Sequence, residues 1–127
     1  MNFYIASGFQ NKIRIQDMAS EIQKLLGWNL TYDWTQNGRA ITLEDLARIG
    51  TKEYEGVMNS DVVIVILPGG KGCHTELGIA LGAQKCIILY DPEEVLGNYI
   101  EATTFYYLSN IKHWSGKVHE LNDLIKA

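Results

Sequence analysis

The hydrophobic period changes along this chain, and each change marks an element. Asn2 to Ala6 reads as a first strand, and Ser7-Gly8-Phe9 as the loop leaving its carboxyl end. From Asn11 to Leu26 the apolar positions Ile15, Met18, Ala19, Ile22 and Leu25 fall at helical spacing, and Gly27 is suited to stop that helix. Leu30 to Trp34 alternates like a strand, and Gln36-Asn37-Gly38 follows as a polar loop. Thr42 is a good N-cap, and Asp45 three residues on makes a variant of the capping box. The helix this predicts, Leu43 to Met58, carries Leu46, Ile49, Glu53 and Val57 at steps of three and four. Glu53 is thereby placed on the inward stripe, where a carboxylate is costly unless it is paired or borders a cleft.

The next stretch, Ser60 to Tyr90, organises the rest. Val62 to Leu67 is too short for a helix and rich in β-branched residues, as in a strand buried on both faces. Pro68-Gly69-Gly70-Lys71-Gly72 then makes a glycine turn. A small-residue helix is predicted from about His74, with Glu76 in its first turn, and Cys86 to Tyr90 closes the unit as another strand. Asp91-Pro92-Glu93-Glu94 turns the chain, and Val95 to Thr104 has no clear period. Phe105 to Leu108 reads as the last strand, and Ser115 to Lys126 as a closing helix through Val118, Leu121 and Leu124.

Strands alternating with helices predict a three-layer α/β/α sandwich, flavodoxin- or Rossmann-like, with a mostly parallel sheet of about five strands. Residues 1–127 are expected to form one domain, since 46% of them are hydrophobic and no linker or repeat divides them. Ligands of such sheets bind beyond the strands' carboxyl ends. Three loops are expected to meet there: Ser7 to Gln10, Asp33 to Gly38, and Pro68 to Glu76.

Charge and cysteine content narrow the partners. A formal net charge of −4 without a run of lysine or arginine argues against nucleic acid, though not against a free nucleotide. Cys73 and Cys86 lack metal-site spacing, so neither a metal nor another cofactor is expected. A reducing, cytoplasmic setting is the expectation, with no membrane span and no signal peptide.

Glu76 has two readings. It complements the helix dipole, or the dipole and nearby amides keep it ionised as a nucleophile for a sugar carbon bearing a leaving base. Gly69-Gly70-Lys71-Gly72 is neither a Walker loop nor a dinucleotide fingerprint; it is a tight turn or an anion cradle. His74 is a base, a loop-packing residue or a helix-start residue. Cys73 reads as a small apolar filler. Phe9 and Trp34 stack on a planar base or belong to the core. Tyr4 is core unless its hydroxyl reaches the site.

Taken together, FYIASGF (Phe3 to Phe9), TYDWT (Thr31 to Thr35) and SDVVIVILPGGKGCHTELGIALG (Ser60 to Gly82) resemble the nucleoside 2-deoxyribosyltransferase family. That family includes 2'-deoxynucleoside 5'-phosphate N-hydrolases. The resemblance spans essentially the whole chain. Its most specific part is a strand opened by Asp61, a glycine loop, then Glu76-Leu77-Gly78-Ile79-Ala80-Leu81-Gly82-Ala83-Gln84-Lys85, with Gln84 where the family usually has glycine.

The resemblance implies that Glu76 attacks the anomeric carbon to give a covalent glycosyl-enzyme, with the Tyr4 hydroxyl beside it. It implies that Glu53, eight positions before Asp61, helps protonate the departing base, where relatives carry aspartate. Six positions before Glu76, transferases tend to carry aspartate and the phosphate-using hydrolases serine; this chain has Gly70, followed by Lys71. That pair leans toward a nucleoside 5'-monophosphate, with water as final acceptor. Ser7, Gly8, Phe9, Asp33, Trp34, Gly69, Gly70, Lys71, Gly72 and His74 are the expected substrate contacts. In relatives a neighbouring subunit completes the site, so a homodimer or higher homo-oligomer is expected, with Thr103 or Thr104 as the residue supplied. Phe105, Tyr106, Tyr107 and Trp114 would line that contact.

Two other readings use the same residues. Toll/interleukin-receptor-like domains cleave NAD with a glutamate on a related sheet, and Lys71 would then serve a diphosphate. A nucleotide-binding sensor would keep the pocket and lack turnover.

Overall fold

The β-branched run at the centre dictates the architecture. In the computed structural model, which describes residues 1–127, β3 (Val62–Ile66) is buried at every position. A strand with no solvated face must be covered on both sides. It is flanked by β1 (Asn2–Ala6) and β4 (Cys86–Tyr90), and the sheet is completed by β2 (Asn29–Leu30) and β5 (Ile111–Trp114). The order is β2-β1-β3-β4-β5, and every pairing is parallel. Ala6 lies opposite Val65, and Ile66 opposite Tyr90. The fold is therefore the expected three-layer sandwich, with a wholly parallel sheet.

Four helices cover the sheet: α1 (Lys12–Leu26), α2 (Leu43–Met58), α3 (Lys71–Gly82) and α4 (Leu121–Lys126). α2 and α3 pack together, while α1 meets the turn at Val118–Glu120 that leads into α4. The capping signals act as their chemistry requires. Gly27 takes the left-handed conformation, φ 68°, at the end of α1. Thr42 accepts a hydrogen bond from the Asp45 amide at 3.0 Å to start α2, and Asp45 accepts one from the Ile41 amide at 3.2 Å. No helix is long and apolar enough to cross a membrane.

Several boundaries differ from the sequence reading. The second strand is two residues long; Asp33 caps a 3-10 turn at Trp34–Gln36 instead of continuing it. Phe105 to Leu108 is not the last strand: Thr104–Tyr107 is a 3-10 turn that buries Tyr106, and β5 lies at Ile111–Trp114. The aromatic composition imitates a strand, but only one ring of that turn enters the core. Val95 to Thr104, which has no period, is a loop holding one 3-10 turn, Val95–Gly97. No helix therefore covers the crossover from β4 to β5. The closing helix begins at Leu121, after the turn at Val118–Glu120. Leu25 and Leu46 have helical spacing yet lie 63% and 58% exposed: the inward stripe of α1 runs from Ile22 to Leu26, and α2 is buried only near its end, at Gly56 and Val57.

The chain enters the sheet in the middle. From β1 it passes outward to β2, then returns across β1 to β3, so crossovers leave β1 and β3 in opposite directions. The crevice at their carboxyl ends is the topological switch point.

Candidate active site

A cavity of about 280 Å³ lies at this switch point. Ser7, Gly8 and Phe9 enter it from the end of β1, and Gly70, Lys71, Gly72, Cys73 and Glu76 from the start of α3; Trp34 and Glu53 close it. Larger cavities exist, but none of them is lined by a buried carboxyl group, as this one is by Glu76.

Ser7 and Asn11 hold the two loops together. The Ser7 hydroxyl donates to Ile66 O at 2.6 Å and accepts from Asn11 Nδ2 at 2.9 Å. Asn11 Nδ2 also donates to Pro68 O at 3.2 Å. Asn11 is 5% exposed and was not among the residues the sequence singled out. Its signal was faint: a polar residue at the start of an amphipathic helix looks like a cap. Trp34 is wall, since its Nε1–H donates to Ile5 O at 2.7 Å. Phe9 stands edge-on to it, with centroids 5.5 Å apart, and is 61% exposed at the cavity mouth.

α3 begins at Lys71 with Gly70 as N-cap, three residues earlier than its apolar pattern suggests. Glu76 thus sits in the second turn, 5% exposed, pointing into the protein instead of complementing the helix end. Tyr4, fully buried on β1, donates its hydroxyl to Glu76 Oε2. Glu53 approaches from α2. Burial raises the Glu76 carboxyl to about 9; the Tyr4 hydrogen bond works against this, and Glu53 adds to it through its charge and hydrogen bonding. Glu76 is therefore protonated in the free protein near neutrality, contrary to the expectation that the helix dipole keeps it ionised. The dipole fades within one turn, and burial outweighs it. Burial and the neighbouring carboxyls raise Tyr4 well above the usual phenol range, so it remains a donor. Cys73 is pushed up to about 12 by burial, which leaves an inert thiol.

The glycine loop divides into two kinds of position. A Cβ at Gly69 would lie 2.4 Å from Cys73 Sγ, so packing demands glycine there. At Gly70 and Gly72 a Cβ would meet nothing within 4 Å. Packing leaves those two positions free. Gly70 supplies no side-chain cap, so the first amides of α3 stay open beside the cavity, and Lys71 forms no ion pair.

Four expected contacts lie elsewhere. His74 does not line this cavity: its Nδ1–H donates to Gly70 O at 2.8 Å, and its Nε2 accepts from the Tyr106 hydroxyl at 2.5 Å. Thr103 lies on the outer side of α3, where it borders a separate cavity of about 600 Å³ with Leu77, Leu81 and Phe105. Asp33 accepts from the Thr35 amide at 3.0 Å and hydroxyl at 2.5 Å, which spends it on its own turn. Gly69 also lies outside the cavity lining.

No family model matches the sequence, and no curated protein does either. Solved structures do. A 2-deoxyribosyltransferase from Bacillus psychrosaccharolyticus superposes with a TM-score of 0.69 at 15% identity, over 97% of this chain and 91% of that one. A CMP N-glycosidase from Clostridium botulinum superposes over the whole of both chains, with a TM-score of 0.58 at 21% identity. A conserved protein from Enterococcus faecalis gives 0.59 at 15% identity, over 99% and 97%. The chain shares the fold of these proteins over at least 91% of their length.

Proposed function

We propose that this chain is a nucleoside 2-deoxyribosyltransferase-like enzyme. It cleaves or transfers the N-glycosidic bond of a 2'-deoxynucleoside or its 5'-monophosphate. The observation that carries the reading is the contact of Tyr4 with Glu76, facing Glu53, in a ligand-sized cavity at the switch point. Full-length likeness to a deoxyribosyltransferase and a CMP N-glycosidase supports it.

The chemistry follows from the carboxyl pair. One proton is held between Glu53 and Glu76, and reaction begins from the form with that proton on Glu53. The Glu76 carboxylate attacks the anomeric carbon, the carbon–nitrogen bond breaks, and the Glu53 proton passes to the leaving base. A glycosyl ester on Glu76 results. Water, or a second base, then attacks the same carbon with Glu53 as general base, and Glu76 is released. Tyr4 stabilises the ionised nucleophile by its hydrogen bond. The open amides of α3 and Lys71 receive a 5'-phosphate, and Phe9 flanks the base.

The segment after β4 serves a neighbouring copy in this reading. Tyr99 and Ile100, 92% and 96% exposed, are the adjacent apolar side chains that such a copy would cover.

A base-release assay over the common deoxynucleosides and monophosphates, run on the wild type and Glu76→Ala, tests the proposal. Release that vanishes in the variant supports it. A second reading, a nucleotide sensor without turnover, is favoured by the protonated resting Glu76. Thermal stabilisation by nucleotides with no base released distinguishes it.

A further inference from the structure

Gly56, next to the buried Val57, is where α2 meets the Tyr4 ring. It is buried, and a Cβ built on it would lie 3.0 Å from Tyr4 Cδ2, Tyr4 Cε2 and Tyr32 Cβ. Its carbonyl accepts a hydrogen bond from the Thr31 hydroxyl at 2.7 Å, and Thr31 is itself tied to β1 through its amide, which donates to Phe3 O at 3.0 Å. Gly50, on the same helix, would meet nothing within 4 Å. Glu53 precedes Gly56 by three residues and shares its face of α2.

We infer that Gly56 is a positioning residue: its missing side chain seats α2 on the Tyr4 ring, and this seat sets how closely Glu53 approaches Glu76. The Tyr4 ring cannot retreat, because it is fully buried and its hydroxyl is bonded to Glu76. Tyr32 Cβ is fixed to the backbone. A methyl group at position 56 is therefore accommodated by lifting the last turns of α2, and Glu53 moves with them. The groups facing Glu76 are Tyr4 from β1, Glu53 from α2 and Cys73 on its own helix; Tyr32 faces Tyr4, and Lys71 shares the cavity. Of these, Glu53 is the one carried by α2.

The decisive test needs no substrate. The side-chain carboxyl carbons of Glu76 and Glu53 are followed by NMR from roughly pH 4 to pH 10 in the free wild type and in Gly56→Ala, Thr31→Val and Gly50→Ala. Thr31→Val loosens the same seat by removing the clamp without adding bulk, and it serves alone should Gly56→Ala not fold. The Glu76 midpoint is expected to fall by about half a pH unit or more in Gly56→Ala and Thr31→Val, and to stay put in Gly50→Ala. A Glu76 midpoint unchanged in both seat variants, whatever their melting temperatures, overturns the inference and leaves Gly56 as packing alone.

The kinetic arm rests on the reaction proposed above. There Gly56→Ala lowers kcat about tenfold with KM nearly unchanged. Absence of base release by the wild type would count against that reaction, while the NMR comparison still decides the role of Gly56.

Discussion

Tyr4 and Glu76 come from adjacent layers, a central strand and the helix after its neighbour, and are joined by a hydrogen bond inside the core. Neither is on a surface loop. The bond is possible because β1 and β3 pair in register, with Tyr4 opposite Val63, and because α3 starts early enough to turn Glu76 inward. Removing the hydroxyl tests what it does. A hydrogen bond to a carboxylate is worth about 1.5–3 kcal/mol, so Tyr4→Phe should slow base release about ten- to a hundredfold. That bond also holds the Glu76 carboxyl down against burial, so the pH–rate profile of Tyr4→Phe should move to higher pH. A profile that stays in place would mean that Tyr4 does not touch the ionised Glu76.

Glu76 also makes stability depend on pH. Its folded value, about 9, lies above that of an unfolded glutamate. Between those values the folded chain holds a proton that the unfolded chain does not, so stability is full at low pH and falls as pH rises toward 9. Glu76→Gln, which keeps the shape and cannot ionise, should remove this slope and be more stable than the wild type at pH 8 by at least about 1 kcal/mol. Denaturant unfolding at several pH values checks it, and a wild type that gains stability from pH 6 to pH 8 would contradict it.

Gly70 offers a test of substrate choice separate from folding. A side chain there meets open space, so Gly70→Asp should leave the melting temperature nearly unchanged. Its carboxylate would stand at the open amides of α3 and repel a phosphate. The ratio of kcat/KM for monophosphate over free nucleoside should fall by about tenfold or more, the equivalent of about 1.4 kcal/mol. An unchanged ratio would place the phosphate elsewhere.

Much of the fold was legible because β-branched runs and helical stripes are strong local signals. β1, β4 and the start of α2 lie where the pattern and caps put them. The failures have local causes. Phe105 to Leu108 has strand composition, yet no strand pairs with it, and Tyr106 alone of those rings finds the core. Lys71 and Gly72 carry no periodic signal, so the pattern starts α3 three residues late; with the true start Glu76 is a buried second-turn acid, and of its two readings the dipole partner falls away. Gln84, where the resembled motif has glycine, takes φ 57°, so the position keeps the left-handed geometry that explains a glycine. Glu53 could be read from the helical wheel alone. The bond between Tyr4 and Glu76 could not, since residues 72 positions apart meet only through the sheet.

In the proposed reaction Glu76 becomes covalently attached to the sugar. Mass spectrometry of protein quenched during turnover, or treated with a deoxynucleotide analogue bearing a 2'-fluoro group, tests it most directly. A sugar or sugar-phosphate adduct is expected on the peptide containing Glu76, and none in Glu76→Ala. Base release at a normal rate by Glu76→Ala, or an adduct on another residue, would contradict it.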